Sequence, residues 1–196
     1  MKKITILGVH SAGKTSLAYI LSAHFKMKHA NVKLIHESVR ENCPFPINNE
    51  ATQNTCLWTF HKQFLNELEA EAQGYGLAIC DRSVIDPFVY YHAVNPQHPN
   101  TQSALEQASQ WLSTYDVIIC IEPAGNIELF DDGFRATDVE YQNLINKGFR
   151  ETLKLYGQHV QDQIIKITSE DIFDLDRRKN LITLVEEQLE AQLTHA

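Results

Sequence analysis

Residues Gly8 to Ser16 read GVHSAGKTS and follow the apolar run ITIL, and no other stretch limits the fold of this chain as strongly. Its glycines and its Lys-Thr pair fit the pattern Gly-x-x-x-x-Gly-Lys-Ser/Thr between a predicted strand and a predicted helix, which is the context this motif requires. Glycines let backbone N–H groups turn inward around a β-phosphate, and a helix beginning near Lys14 points the positive end of its dipole there. A glycine-rich turn without a ligand is the alternative. We expect a phosphate-binding loop, called the P-loop below (residues 8–16).

The side chains of the P-loop have separate expected roles. Lys14 is expected to reach the β- and γ-phosphates of ATP, and the hydroxyl of Thr15 is expected to bind Mg²⁺. His10 occupies a variable position, where a loop histidine without a functional role is the simpler interpretation. The residues expected to contact the nucleotide are Gly8, His10, Ser11, Ala12, Gly13, Lys14, Thr15 and Ser16.

Short apolar runs alternate with helical patterns along the whole chain. Most of the runs are rich in Ile and Val, which is typical of buried parallel strands. They are Ile4–Val9, Val32–Glu37, Leu77–Asp81, Val117–Glu122 and Ile164–Ile167. This alternation predicts an α/β protein with the P-loop NTPase fold, a five-stranded parallel sheet with helices on both faces. Ligands in such sheets bind at the carboxyl ends of the strands.

The helical patterns carry their own expectations. Thr137 and Glu140 form a capping-box pair before a long helix, and either Asp174 or Asp176 is expected to cap the last helix. One helix is expected between the second and third runs, with Glu67 outside its core-facing stripe. The residues of that stripe are Leu57, His61, Phe64 and Leu68.

Composition limits the partners and the compartment. The chain has 196 residues, 43% of them hydrophobic, so we expect one core and a single domain over residues 1–196. A formal net charge of −8 is unfavourable for non-specific binding to nucleic acid or to an anionic membrane. The four cysteines form no CxxC pair, and we interpret them as reduced thiols of a cytoplasmic protein. Neither a signal peptide nor a membrane-spanning segment is expected.

Other motifs discriminate between classes of P-loop proteins. The guanine-reading NKxD of GTPases is absent, because Phe149 stands where the Asp of the Asn-Lys pair would be, and no LSGGQ-like stretch of ABC ATPases occurs. The third run ends in Asp81-Arg82-Ser83, and a basic residue after the acid suits nucleotide-handling kinases because it can reach a phosphate. Asp81 is therefore expected to hold Mg²⁺, with a cap of the following turn as the alternative. Arg82 is expected to contact the acceptor or the phosphates.

Three more residues are candidates for contacts with a phosphoryl acceptor. Glu37 ends the second run, and the usual strand order would place it near Asp81, where it could accept a hydroxyl proton or help to place Mg²⁺. A surface acid at a strand end is the alternative for Glu37. Arg40 could bind the acceptor or pair with Glu37 or Glu41. Asp86 could face the acceptor, although a cap of the helix Phe88–His92 is favoured.

A candidate lid follows the fourth run, around residues 128–140, where residues 129–135 read LFDDGFR. Kinases of this fold carry a mobile lid at that place, and Arg135 would be the cation that closes onto the transferring phosphate. A plain acidic turn is the alternative.

Several stretches together resemble one family: GVHSAGKTS, HESVREN, CDRSVIDPFVYY, YDVIICIEP and FDDGFRATDVEYQNLINKGF. They follow one another as in AAA-like P-loop kinases related to the nicotinamide riboside kinase domains of bacterial NAD-metabolism regulators. The acid-x-x-Arg-acid segment of that family resembles Glu37 to Glu41, and its DDG-x-R lid resembles Asp131 to Arg135. The stretch after the third run is more similar to the Asp/Glu-Arg motif of thymidylate and deoxyribonucleoside kinases. The resemblance spans roughly Ile4 to Ile167 and implies a catalytic frame rather than an acceptor.

Taken together, the sequence predicts a kinase that uses ATP and Mg²⁺ and transfers the γ-phosphate to a small acceptor, a nucleoside or a nucleotide. Lys14 and Arg135 would stabilise charge on the transferring group, and Glu37 would be the base or the acid that positions the acceptor. A nucleotide-binding regulatory module with slow hydrolysis is the alternative. The oligomeric state, a homodimer included, is left open by the sequence.

Overall fold

A five-stranded parallel sheet forms the centre of the molecule, with helices packed around it. The computed structural model describes residues 1–37, 39, 42–95, 100–122 and 139–191. The strands are β1 (Lys2–Gly8), β2 (Val32–Ile35), β3 (Leu77–Asp81), β4 (Val117–Glu122) and β5 (Ile164–Thr168), in the order β2-β3-β1-β4-β5. The expected fold class and all five strands are confirmed. The second strand ends at Ile35, so Glu37 lies two residues beyond it rather than inside it.

Seven α-helices are described. They are α1 (Lys14–Met27), α2 (Gln53–Ala72), α3 (Asp86–Val94), α4 (Gln102–Leu112), α5 (Val139–Tyr156), α6 (Glu170–Phe173) and α7 (Leu175–Ala191), with short 3₁₀ turns at Asn48–Glu50 and Gln158–Gln163. Asp174 caps α7, because its Oδ1 accepts hydrogen bonds from the backbone N–H groups of Asp176 and Arg177. Thr137 lies outside the described residues. Within the described ranges, no helix carries the long uncharged apolar stretch that a membrane-spanning segment requires.

The central strands are buried on both faces, which explains their continuous apolar sequences. Ile4, Ile6 and Leu7 of β1 are fully buried, and so are Val117, Ile118 and Ile119 of β4. Gly8 pairs in register with Ile121 of β4, and Ile6 pairs with Asp81 of β3. The end of β1 therefore lies between the ends of β3 and β4, and the P-loop leaves the sheet at its carboxyl edge.

The stripe expected on α2 is wrong. Leu68 is 39% exposed and His61 is exposed, whereas Glu67, which was expected off the stripe, is only 1% exposed. The reason is a polar network of long-range partners that turns a different face of the helix inward. Phe60 occupies that buried face, where its ring packs against the ring of Phe88.

Glu67 is the centre of this buried network, near the amino ends of the strands and away from the P-loop. Its Oε2 accepts hydrogen bonds from Lys3 Nζ at 3.0 Å and from Trp111 Nε1 at 2.8 Å. Its Oε1 accepts hydrogen bonds from Gln63 Nε2 at 2.9 Å and from the hydroxyl of Tyr115 at 2.7 Å. A buried carboxylate with this many donors and a paired ammonium is stable at this position, and losing one partner would leave a charge without compensation.

Candidate active site

The conformation of the P-loop requires glycine at two positions, Gly8 and Gly13. Gly8 has φ +142°, and a Cβ atom there would lie 2.5 Å from the carbonyl oxygen of Ile121. Gly13 has φ +92°, and a Cβ atom there would meet the side chains of Ile172 and Phe173 at 3.1 and 3.3 Å. Both φ values lie in the region that L side chains rarely adopt, so the two glycines fix the turn that aims the start of α1.

Lys14 folds back onto the P-loop. Its Nζ donates to the carbonyl oxygens of Gly8 at 3.0 Å and of Val9 at 2.6 Å, and the side chain is buried. Burial, with the nearby guanidinium of Arg82, lowers the pKa of Lys14 to about 8. A lysine held in this way is positioned to exchange its two carbonyl partners for phosphate oxygens, which would restore its full positive charge.

The proposed Mg²⁺ ligands lie side by side. The hydroxyl of Thr15 donates to Oδ2 of Asp81 at 2.6 Å, and Oδ1 of Asp81 is buried with no hydrogen-bond partner. A hydroxyl and a carboxylate oxygen are ligands that Mg²⁺ accepts in phosphate sites, so these two residues fit the ion. No group of three or more His, Cys, Asp or Glu side chains suited to a metal occurs among the described residues. An ion here would therefore depend on phosphate and water for its other ligands.

Two residues that sequence reasoning missed support the P-loop from the opposite side. Gln142 of α5 donates from Nε2 to the carbonyl oxygen of His10 at 3.1 Å. The hydroxyl of Ser169 donates to the carbonyl oxygen of Ala12 at 3.2 Å. The imidazole of His10 stacks on the ring of Tyr141, with centroids 5.7 Å apart. These contacts connect the P-loop to the two segments that follow β4 and β5.

An ion pair stands beside the P-loop at the ends of β2 and β3. Nη2 of Arg82 lies 2.6 Å from Oε1 of Glu37, and both side chains are largely buried. The guanidinium carbon of Arg82 lies 4.8 Å from the centre of the Tyr90 ring, a cation–π distance. Arg82 has φ +125°, an unusual value for a residue other than glycine. The strand order places Glu37 at the end of β3, as expected, but its ion-pair partner there is Arg82 and not Asp81.

Glu37 lines two hollows. One, of about 110 Å³, lies along the outer side of the P-loop, from Ser11 to Ser16, and is also lined by Phe173. The other, of about 60 Å³, lies between α2, α3 and the segment after β2. Because Glu37 lines both, a group bound on the P-loop and a molecule in the second hollow, called the acceptor pocket below, would approach each other at this carboxylate.

The walls of the acceptor pocket are mostly apolar and aromatic, with a few polar groups. They include Ile47, Ala51, Cys56, Pro87, Tyr90 and Tyr91. Thr55 and Thr59 add hydroxyls from α2, and Arg82 adds a guanidinium. Burial raises the pKa of the Cys56 thiol, so that group is neutral at physiological pH. A mostly apolar lining with a few convergent polar groups is the chemistry that small-molecule sites use.

Asp86 is the first residue of α3 and does not line the acceptor pocket. It is fully buried, and its Oδ2 accepts hydrogen bonds from the backbone N–H of Ser83 at 3.0 Å and from the hydroxyl of Ser83 at 2.6 Å. Burial raises the pKa of Asp86 to about 6, although Arg82 and Lys14 oppose that shift. The expected cap is wrong, because Asp86 is the first residue of α3, its hydrogen bonds go back to Ser83, and no described side chain caps that helix. The role proposed for Asp86 at the acceptor stays a prediction.

Arg40, Arg135 and the predicted lid as far as residue 138 lie outside the described residues. The roles expected for them stay predictions. Of the P-loop side chains, Ser16 is exposed and lines the hollow beside it, whereas Ala12 is buried.

A family model described as an AAA domain matches residues 3–171. Among curated protein sequences, none matches this chain at a significant level. Among solved structures, thymidylate kinase from Ehrlichia chaffeensis is similar, with a TM-score of 0.56 and 16% identity over 85% of this chain and 86% of that one. Thymidylate kinase from Candida albicans has a TM-score of 0.63 and 18% identity over 100% of this chain and 93% of that one.

The NadR protein, in a crystal structure with NR, is also similar, with a TM-score of 0.68 and 22% identity over 96% of this chain. The chain spans 52% of that protein, about half of its length. At these identities the solved structures show a shared fold, that of P-loop kinases, while the family match covers most of the sequence. This chain belongs to the family of AAA-type P-loop domains.

Proposed function

We propose that this protein is a kinase that transfers the γ-phosphate of ATP to a small acceptor, a nucleoside or a nucleotide. The observation that carries this proposal is that Glu37 lines both the P-loop hollow and the acceptor pocket. A site that only bound or hydrolysed ATP would need no second, largely apolar pocket opening beside the γ-phosphate position.

In this proposal ATP lies on the P-loop, and Mg²⁺ supplies charge neutralisation for its phosphates when it is bound to Thr15 and Asp81. Lys14 stabilises charge on the transferring group, as does Arg135 of the lid. The acceptor enters the pocket between α2 and α3. Glu37 accepts the proton of the attacking hydroxyl, or orients the acceptor, and Arg82 contacts the acceptor or its phosphate.

Phe173 is a further candidate for a contact with the nucleotide. Its ring is 62% exposed, yet it lies beside Gly13 and lines the hollow of the P-loop. An exposed aromatic ring next to a phosphate site offers a face on which the base of ATP can stack. The tyrosines of the acceptor pocket offer similar faces to an acceptor, whereas Phe60 lies in the core.

The proposal is tested by a panel of acceptors incubated with the protein, ATP and Mg²⁺. The panel includes nicotinamide riboside, thymidine and thymidylate, chosen because the similar structures are thymidylate kinases and a protein with bound NR. ADP formation that is stimulated by one compound supports the kinase. Slow hydrolysis that no acceptor stimulates would instead indicate the regulatory module. Lys14→Ala should abolish ATP turnover in a folded protein, and retained turnover would remove the P-loop from the mechanism.

The role of Glu37 is tested separately. Glu37→Gln keeps the shape and a hydrogen-bond acceptor near Arg82 but removes the basic carboxylate, so kcat for transfer should fall by about tenfold or more with the KM for ATP preserved. Glu71→Gln is the matched control, because Glu71 is 61% exposed on α2, where the same change should leave kcat unaltered. A near-normal kcat for Glu37→Gln would remove Glu37 from the transfer step.

A further inference from the structure

The backbone of Arg82 is held in a conformation that a residue with a side chain rarely adopts. Its φ is +125°, and it stands directly after Asp81, the last residue of β3. No glycine replaces it, although glycine would adopt this conformation without strain. Strained residues persist where the surrounding structure fixes them, and they concentrate at functional sites.

Two buried side chains fix the peptide group that joins this strained residue to Ser83. The hydroxyl of Thr5, on β1, donates to the carbonyl oxygen of Arg82 at 3.0 Å. The carboxylate of Asp86, at the start of α3, accepts from the N–H and the hydroxyl of Ser83 at 3.0 and 2.6 Å. Thr5 and Asp86 are both fully buried.

The strained conformation determines where the guanidinium of Arg82 lies. The guanidinium pairs with Glu37 at 2.6 Å and stacks over Tyr90 at 4.8 Å, so it forms one wall of the acceptor pocket. Tyr90 follows Asp86 by four residues on α3, which places both on the same side of that helix. One helix therefore supplies the carboxylate that fixes the turn and the ring that receives the guanidinium.

We propose that Thr5 and Asp86 are positioning residues, which hold Arg82 in its strained conformation and so keep its guanidinium between Glu37 and Tyr90 for the acceptor. The inference deepens the proposed function and rests on it for its kinetic consequence. Neither residue lines the acceptor pocket, and both act through Arg82. At about pH 8 the carboxylate of Asp86 is ionised, because its pKa is about 6, and it then accepts both hydrogen bonds from Ser83.

Three variants and one control test the proposal by kinetics at about pH 8. Thr5→Val and Asp86→Ala each remove a restraint, so kcat/KM for the acceptor should fall by about tenfold or more while the KM for ATP stays within about twofold. Asp86→Asn retains an oxygen that accepts from Ser83, so it should keep acceptor kcat/KM within about threefold of the wild type.

Thr101→Val is the matched control for Thr5→Val. Thr101 is equally buried, and its hydroxyl hydrogen-bonds Nε2 of His92 at 2.8 Å, away from Arg82. The Thr101→Val variant should be destabilised about as much as Thr5→Val, but its kcat/KM for the acceptor should not change. An unchanged acceptor kcat/KM in Thr5→Val overturns the proposal, and so does an equal loss in Thr101→Val. If Asp86→Ala does not fold, the acceptor kcat/KM of Thr5→Val alone tests the proposal.

A second measurement does not depend on turnover. The guanidinium carbon of Arg82 lies 4.8 Å from the centre of the Tyr90 ring, so the ring current should shift the NMR signal of the Nε–H proton upfield. Arg82→Lys identifies that signal by its loss. The signal should move toward that of a free arginine in Thr5→Val and Asp86→Ala and stay in place in Thr101→Val. An unmoved signal in the first two variants overturns the positioning role. A wild type that phosphorylates no acceptor overturns the proposed function alone, since the signal still reports on Arg82.

Discussion

ATP binding to this protein should weaken as the pH rises above about 8, because Lys14 then loses its proton in the free protein. Burial and the nearby Arg82 lower the pKa of Lys14 to about 8, while its ammonium donates to two carbonyl oxygens of the P-loop. Phosphate oxygens beside the ammonium favour the charged form, so the nucleotide complex contains an ionised lysine. Above the free-state pKa, binding must therefore take up a proton.

The size of the effect follows from this pKa. The apparent Kd for ATP should stay nearly constant below about pH 8 and rise by about tenfold for each further pH unit, which is about 1.4 kcal/mol per unit. With a pKa of about 8, about 0.9 of a proton should be taken up per ATP bound at pH 9, and about 0.1 at pH 7. The terminal phosphate of ATP titrates at about pH 6 to 7, below the pH at which Lys14 loses its proton, so the uptake at about pH 9 reports on Lys14.

Isothermal titration calorimetry between about pH 7.5 and 9.5, in pairs of buffers with different ionisation enthalpies, measures both the Kd and the number of protons. Lys14→Met is the control, because it lacks the titrating group and should bind ATP more weakly but with no proton uptake at the higher pH. A wild-type Kd that does not change over this range, or the absence of proton uptake at about pH 9, would refute the reasoning.

Three further predictions concern single side chains. Gly8→Ala should destabilise the protein by about 2 kcal/mol or more and abolish ATP binding, because the added Cβ would lie 2.5 Å from a carbonyl oxygen, whereas Gly76→Ala, with 3.7 Å of space, should be nearly neutral in thermal unfolding. Glu67→Ala should lower the free energy of unfolding in urea by about 3–5 kcal/mol, because it leaves a buried ammonium unpaired, while the exposed Glu71→Ala should change it by less than about 1 kcal/mol. Phe173→Ala should raise the KM for ATP by about tenfold with kcat retained, and an unchanged KM would exclude stacking on the base.

The strands were predictable because parallel strands buried on both faces have continuous apolar sequences. The third and fourth runs match β3 and β4 at both ends. The helix after β2 was not predictable in the same way. Its buried face contains Glu67, whose partners come from β1, α4 and the segment before β4, and helical periodicity carries no information about contacts so distant in sequence.

Part of the candidate site follows from motif and topology together. The P-loop pattern indicated Lys14 and Thr15, and the strand order brought Asp81 to 2.6 Å from Thr15 and placed Glu37 near the end of β3. Nothing in the sequence indicated the positive φ of Arg82, because arginine does not favour that backbone conformation.

The residues that support the P-loop were not found from the sequence, for two different reasons. Gln142 reaches the loop from a helix 132 residues away and stands in an ordinary amphipathic pattern, so no signal marks it. Ser169 and Phe173 follow β5 at the carboxyl edge of the sheet, and the rule that ligands bind at that edge could have indicated them.

The most direct test of the central claim is to follow the γ-phosphate itself. ATP labelled in that group is incubated with the protein, Mg²⁺ and each candidate acceptor, and the products are separated. A kinase should give labelled acceptor and ADP in equal amounts for at least one compound, with the labelled product lost in Lys14→Ala. Label recovered only as inorganic phosphate, at a rate that no acceptor changes, would contradict this prediction.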